Sequence, residues 1–369
     1  MAVDALGDGL GAEPVRHSNA LRTWTGADLA DVQAGWATHL ARSEPSVLIP
    51  CCDDAVEALA DHRDLFVGLG HRLPPGEDEV RRTMLDKVST AAVAHRAGVL
   101  APKVRIVREQ SELVRAAEEI GYPCGLKPVQ SHRFTRANGG LKGVTVPDPT
   151  ALASLGARLL RSGLDIVVTE LIPGRDPTFC SFNTYIDDDG RPLFEITKEK
   201  VRQHPVDFGL GTFHRTVWLP EVADMGRRFI LESGLRGFGN VEFRTDARDG
   251  ELKLIECNVR LTAANELLTR AGCDVAFIIY QRSLGNPVEP VDGFREGLRM
   301  FSPLKDARAV VDYRRRKELR WRDWVGDVVP PPGLPLFSWS DPQPSLRAGA
   351  RKVSNALRRM RAGGAGGGP

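Results

Sequence analysis

The segment from Asn240 to Arg260 constrains this chain more than any other. Phe238–Arg244 and Leu252–Cys257 each alternate apolar and polar residues, and Asp249-Gly250 lies between them. Alternation with period two, broken by Asp-Gly, reads as an antiparallel hairpin. Within a strand, residues two apart share a face. Glu256, Asn258 and Arg260 therefore point one way, and Glu242 on the partner strand can join them. Carboxylate and amide oxygens are the donors that Mg²⁺ takes alongside phosphate oxygens. An adjacent arginine suits a phosphate that the metal also holds. A polar strand face turned to solvent shows the same alternation, and from these residues alone the two readings stand level.

The remaining pattern is mixed. Helical spacing covers Asp28–Arg42, Asp53–Ala60, Asp86–Ala97, Ser111–Gly121, Pro149–Ser162, Pro220–Leu235 and Cys273–Leu284. Ser46–Pro50, Val104–Val107, Tyr122–Pro128, Asp165–Val168, Phe179–Ile186 and Leu193–Val201 read as strands. Asp187–Gly190 is the turn of a hairpin, since four polar residues between strands seldom hold a metal. The spacing predicts an α+β protein in three parts, over 1–85, 86–292 and 293–369. Pro330, Pro331, Pro332 and Pro335 break the last part, a C-terminal extension, Arg347–Arg361 is basic, and the Gly-rich end is expected to be disordered.

Composition removes several function classes. With 369 residues, 42% of them hydrophobic, the chain can bury a large core. Its 50 Lys and Arg nearly balance 48 Asp and Glu, so no global field draws it onto nucleic acid. Six cysteines are scattered without a CxxC pair, which predicts reduced thiols in a cytoplasmic protein. No signal-peptide pattern opens the chain, and no apolar run approaches the ~20 residues of a membrane span. His204 and His214 have no partner pattern and read as non-catalytic.

Other chemistry-bearing residues are weaker signals singly. No GxxxxGK[ST] loop occurs, which excludes an ordinary P-loop enzyme. Lys87 stands at a helix start, Lys127 ends an apolar strand before Pro128, and Glu170 follows another apolar strand. Each alone is a surface charge as readily as a ligand. Arg136–Gly143 can wrap phosphates with backbone N–H groups and a lysine, or be an ordinary loop. Lys200 and Arg202, two apart in one strand, are expected to share a face.

The order of these pieces resembles the ATP-grasp superfamily, over about Arg82 to Gly285: a lysine at a helix start, Lys-Pro, a Gly-rich loop, Glu170-Leu-Ile-Pro-Gly, then Glu242 … Glu256-Cys-Asn258-Val-Arg260. It is most similar to the branch near D-aspartate ligases and carbamoyl-phosphate-synthase-like ligases. The resemblance implies two α+β subdomains clamping ATP, preceded by a reduced α/β domain. It implies that Lys87 and Lys127 contact the α-phosphate and adenine side. Glu170 would accept from the adenine amino group, with the backbone of Leu171 and Ile172 along the ring edge and Asp176 at the ribose. Asn138, Gly139, Gly140 and Lys142 would close over the β- and γ-phosphates. Glu242, Glu256 and Asn258 would hold one or two Mg²⁺, for which Mn²⁺ can substitute, and Arg260 would face the transferring phosphoryl group. Lys200 and Arg202 would bind the acid or its phosphate. The function implied is an Mg²⁺- and ATP-dependent carboxylate–amine ligase, acting on a small carboxylic acid and an amine of amino-acid type. It implies no nucleic-acid partner and allows a homodimer. A regulatory protein with a degenerate nucleotide site, and a carboxylase or carbamoyl-type enzyme, are the rival readings.

Overall fold

The computed structural model describes residues 3–7, 18–26, 32–128, 144–160, 165–174, 179–206 and 209–350. The chain divides into two compact units, residues 1–45 with 333–369 and residues 46–332. The expected boundaries at 85 and 292 both fall inside the second unit, whereas the break at Pro330–Pro332 coincides with its end. In the first unit β1 (Val3–Gly7) and β2 (Leu21–Gly26) pair in parallel. The helix predicted from Asp28 is described from Val32 onward and opens with a π-helical turn to Ala37. Asp341 accepts hydrogen bonds from the Ser18 hydroxyl and the Asn19 N–H. Of the basic stretch Arg347–Arg361, residues 351–361 lie outside the described residues.

The second unit begins with helices: α1 (Asp53–Asp61), α2 (Arg63–Gly68), α3 (Asp78–Leu85) and α4 (Lys87–Arg96). The strand predicted at Ser46–Pro50 is only an isolated bridge between Val47 and Arg72. Pro45 and Pro50 bracket that run and withdraw two backbone donors, so it cannot extend a ladder. Asp86 caps α4 by accepting the Ser89 N–H at 2.6 Å, which fixes Lys87 as the first residue of the helix.

A small sheet follows, built from β3 (Val104–Val107), β4 (Cys124–Pro128), β5 (Val144–Val146) and β6 (Ile166–Glu170), with α5 (Gln110–Ile120) and α6 (Pro149–Leu160). Its order is β3-β6-β4-β5, antiparallel throughout. Leu113, Ala117, Leu126, Val146, Leu152 and Ile166 form its core. Gly121 ends α5 and a Glu109–Glu112 capping box starts it.

The large sheet has six strands in the order β11-β10-β7-β8-β9-β12. They are β7 (Phe179–Ile186), β8 (Pro192–His204), β9 (Leu210–Thr216), β10 (Gly237–Thr245), β11 (Leu252–Asn258) and β12 (Arg299–Phe301). The helices around it are α7 (Pro220–Ser233), α8 (Asn265–Ala271), α9 (Val275–Ser283), α10 (Pro303–Arg315) and α11 (Trp321–Val328). One face carries Phe182, Val241, Phe243 and Leu254, packed against Ala223 and Phe229 of α7. Each of these Phe, Val and Leu side chains contributes roughly 1.5–3 kcal/mol by leaving water. Gly226 lets α7 approach this closely, because a Cβ there would lie 2.4 Å from the Phe182 ring. The opposite face is apolar only at one end, where Tyr185, Phe194 and Ile196 meet Leu268, Val275 and Ile278 of α8 and α9. Its other end is polar. Among the described residues no helix is long and apolar enough to cross a membrane.

Candidate active site

The β10–β11 hairpin forms as its alternation predicts, and Glu242 stands directly opposite Glu256. Following register across the sheet gives a row of Glu256, Glu242, Ser181, Lys198 and Thr216. A neighbouring row holds Asn258, Asn240, Asn183 and Ile196, and a third holds Arg244, Phe179, Lys200 and His214. These are the polar part of the sheet face.

The asparagines form a directed ladder. Asn258 Nδ2 donates to Asn240 Oδ1 at 3.2 Å, and Asn240 Nδ2 donates to Asn183 Oδ1 at 2.7 Å. Asn183 Nδ2 donates in turn to the Ile196 carbonyl and the Ser181 hydroxyl. Asn258 Nδ2 also donates to Glu256 Oε1 at 3.2 Å. With its amide hydrogens spent inward, Asn258 keeps its carbonyl oxygen for an outside partner. Glu242, Glu256 and Asn258 therefore present hard oxygens side by side, a donor set that fits Mg²⁺ or Mn²⁺ and leaves positions for phosphate oxygens and water.

Cations surround these oxygens. Lys200 Nζ lies 3.1 Å from Glu242 Oε2, and Lys87 Nζ lies 3.6 Å from Glu256 Oε2. Burial would raise the Glu256 carboxyl, but Lys87, Lys200, the Asn258 amide and Lys127 outweigh it and hold it well below the usual carboxylate range. Lys200 and Arg244 both stack on the Phe179 ring, at 4.2 and 4.5 Å from its centre. Burial lowers the Lys198 ammonium to about 8, with Glu242 opposing and Lys200 reinforcing the shift. Burial, then Lys198 and Lys200, push His214 well below its ordinary value, so it is neutral.

Other expected residues fall elsewhere. Arg260 leaves the end of β11 and donates from Nε to Asp53 Oδ1 of α1 at 2.6 Å. Glu170 is the last residue of β6. Its Oε2 accepts the Lys103 N–H at 3.1 Å, and its Oε1 pairs with Arg248. Arg248 also holds Asp246, which Lys253 holds as well. Ile172 is buried and Leu171 half-buried just beyond Glu170. Asn138, Gly139, Gly140, Lys142 and Asp176 lie outside the described residues.

Arg202 does not share the face of Lys200. The pairing of β8 with β9 shifts register between the two residues, so Lys200 opposes His214 whereas Arg202 opposes Phe213. A bulge of this kind turns the following side chain to the other face. Arg202 there meets Asp306 through two hydrogen bonds of 2.9 and 3.1 Å, and also Asp327. Asn183, Asn240, Ser181 and Lys198 also belong to the face of Lys200, although no sequence motif marks them. Phe179, Ser181 and Asn183 alternate within β7, and that spacing was the available signal.

No protein-family model matches the chain. It is 24% identical over 262 residues to D-aspartate ligase of Enterococcus faecium (strain Aus0004), covering 67% of this chain and 61% of that protein. The chain thus spans about three fifths of the length of that curated relative. Among solved structures, the biotin carboxylase domain of Hydrogenobacter thermophilus 2-oxoglutarate carboxylase superposes with a TM-score of 0.62 at 19% identity, over 81% of this chain and 68% of that one. N5-carboxyaminoimidazole synthetase from Staphylococcus aureus, complexed with ADP, gives 0.60 at 14% identity over 81% and 74%. L-amino acid ligase from Bacillus licheniformis gives 0.52 at 16% identity over 73% and 64%. The chain has the ATP-grasp fold.

Proposed function

We propose that this chain is an ATP- and Mg²⁺-dependent carboxylate–amine ligase. The observation that carries the reading is the row in which Glu256 faces Glu242, flanked by the Asn258 oxygen and by Lys87, Lys127 and Lys200. Two ionised carboxylates held by lysines fit a site built for a metal–polyphosphate pair, whose own charges exchange with those ion pairs. The relative named D-aspartate ligase supports the choice of an amino acid as the acid.

A carboxylate oxygen of the acid attacks the γ-phosphorus, and the bond from that phosphorus to the β-phosphate oxygen breaks, releasing ADP. The amine nitrogen then attacks the acyl carbon, phosphate leaves and the nitrogen gives up a proton. Little covalent work falls to the protein, which must align the groups and neutralise moving charge. Bound at Glu242, Glu256 and Asn258, one or two Mg²⁺ would supply charge neutralisation at the phosphate oxygens. Lys87 and Lys200, freed from those carboxylates, reach the same oxygens. Glu170 accepts from the adenine amino group, and Arg260, oriented by Asp53, presents its guanidinium edge to the phosphoryl group in flight.

The test is ADP and phosphate release from ATP with amino acids offered in pairs, D-aspartate among the acids and bicarbonate as a separate arm. ¹⁸O from labelled carboxylate is expected in the released phosphate. Turnover with bicarbonate alone, or AMP as product, overturns the reading.

A further inference from the structure

Among the described residues, buried charges come with built-in partners, with one exception. Arg202 has Asp306 and Asp327, Asp246 has Arg248 and Lys253, and Arg81 has Asp78. Lys198 is equally buried, at 4% exposure. Yet no described residue accepts a hydrogen bond from its ammonium group or pairs with it within ion-pair distance. An ammonium drawn largely out of water without an anionic partner is held at a cost in free energy, which a carboxylate ligand would offset. The lowered proton affinity of Lys198 is the electrostatic trace of that missing partner.

Position indicates the partner. Lys198 sits in the same row as Glu242 and Glu256, separated from Glu242 by the strand that carries Ser181. With strands ~4.8 Å apart, the Lys198 and Glu242 backbones are roughly 10 Å from each other. A ligand group held by both side chains would bridge that interval. Lys87, by contrast, meets the row at its Glu256 end. In an in-line transfer the attacking oxygen lies across the γ-phosphorus from ADP. If the polyphosphate occupies the Glu256 end, the acid occupies the end nearer Lys198. Ser181, itself buried, lies between and keeps its hydroxyl on this face.

We propose that Lys198 binds the carboxylate of the acid substrate and so sets which acid is activated. This rests on the ligase reading above. Once bound, the carboxylate completes the buried ammonium, and the lysine holds one oxygen while the other attacks phosphorus. The role is distinct from that of Lys200, which is already engaged by Glu242.

The experiment uses the full chain with D-aspartate, L-aspartate, D-alanine, L-alanine and malonate as acids, each with a panel of amines. The acid giving the fastest phosphate release is carried into Lys198→Met and Lys198→Arg. The expected result is a rise of at least tenfold in KM for that acid in Lys198→Met, with KM for ATP changed less than twofold. Lys198→Arg, which keeps the charge, should recover part of the loss. An equal or larger rise in KM for ATP assigns Lys198 to the nucleotide phosphates and overturns the proposal. So does an unchanged KM for the acid in an active, folded Lys198→Met protein. Should the parent turn over with no acid–amine pair, the ligase reading fails and this inference fails with it. The parent control therefore distinguishes that failure from a failure of the Lys198 assignment alone.

Discussion

Strand β8 carries Lys198, Lys200 and Arg202 at alternate positions, and the structure uses the first two differently from the third. Lys198 and Lys200 face the asparagine ladder and the hairpin carboxylates. Arg202 lies beyond a register shift and is fixed by Asp306, with Thr212 and the Trp324 indole also donating to that carboxylate. The Arg202–Asp306 pair is therefore complete without a ligand. The Lys200–Glu242 pair is a single contact that another ion can exchange, and Lys198 has no ion-pair partner among the described residues. On one strand, the degree to which a cation is satisfied within the protein separates a group that holds the fold from groups proposed to take a ligand.

The sharpest way to break this contrast is Arg202→Met. It leaves Asp306 buried with a charge and only neutral donors. Stranding one member of a buried pair costs about 3–5 kcal/mol. The unfolding midpoint in urea should fall steeply, while KM values of the surviving folded protein stay near those of the parent. A stable variant with a raised KM for the acid would place Arg202 among the ligand-binding groups instead.

The complementary change is Glu256→Gln. It removes one charge from the proposed metal site and keeps the size and the Asn258 hydrogen bond. Turnover should fall by about two to three decades, as for loss of a strong charge-assisted contact in the transition state. The thermal midpoint should move by only a few degrees, because the Lys87 contact is a single partly exposed ion pair. Unchanged turnover in the folded variant would remove Glu256 from the metal site.

The reasons some residues were legible in the sequence and others were not are physical. The hairpin, Glu242, Glu256 and Asn258 could be read because alternation and an Asp-Gly turn are local properties. Lys87 could be placed because Asp86 caps its helix. Arg202 was misplaced because strand periodicity carries no mark of a bulge, which depends on how β9 pairs. Lys198 looked like one more charge in Lys198-Glu-Lys-Val-Arg until burial showed which face it takes. Asn183 and Asn240 come together only through the pairing of β7 with β10, which joins segments far apart in the chain. The helix Asp78–Leu85 went unseen because one of its two buried members is an arginine, Arg81, which leaves Met84 without an apolar stripe to mark it.

Lys198 also ties stability to pH. Its folded value of about 8 lies below the ordinary lysine value of 10.5, so between these limits the unfolded chain binds more protons than the native one. Stability rises with pH wherever that holds. The contribution is complete above about 10.5 and is lost as pH falls through about 8. A shift of this size corresponds to roughly 3 kcal/mol at most. Compared with Lys198→Met, the parent should gain stability on going from pH 7.5 to 10 in urea titrations. Equal pH slopes in the two proteins would mean that the ammonium is solvated.

Arg248 tests the middle ground of the comparison, because its partners are divided. One guanidinium holds both Asp246, which Lys253 also neutralises, and Glu170, the residue proposed to read adenine. Without Arg248, Asp246 keeps Lys253, but among the described residues Glu170 keeps only the Lys103 N–H. The fold should therefore tolerate Arg248→Met, and the effect should fall on the base. An ionised carboxylate only accepts hydrogen bonds, so a well-held Glu170 favours the adenine amino group over the guanine carbonyl. Loosening it costs about one neutral hydrogen bond's worth of discrimination, ~1 kcal/mol or roughly fivefold. The measurement is kcat/KM for ATP and for GTP in the parent and in Arg248→Met, at fixed acid and amine. A ratio of ATP to GTP that drops several-fold, with the unfolding midpoint nearly unchanged, places Arg248 with the ligand-facing cations. If the ratio holds and the midpoint falls, Arg248 belongs with Arg202, as a cation whose work is finished when the chain has folded.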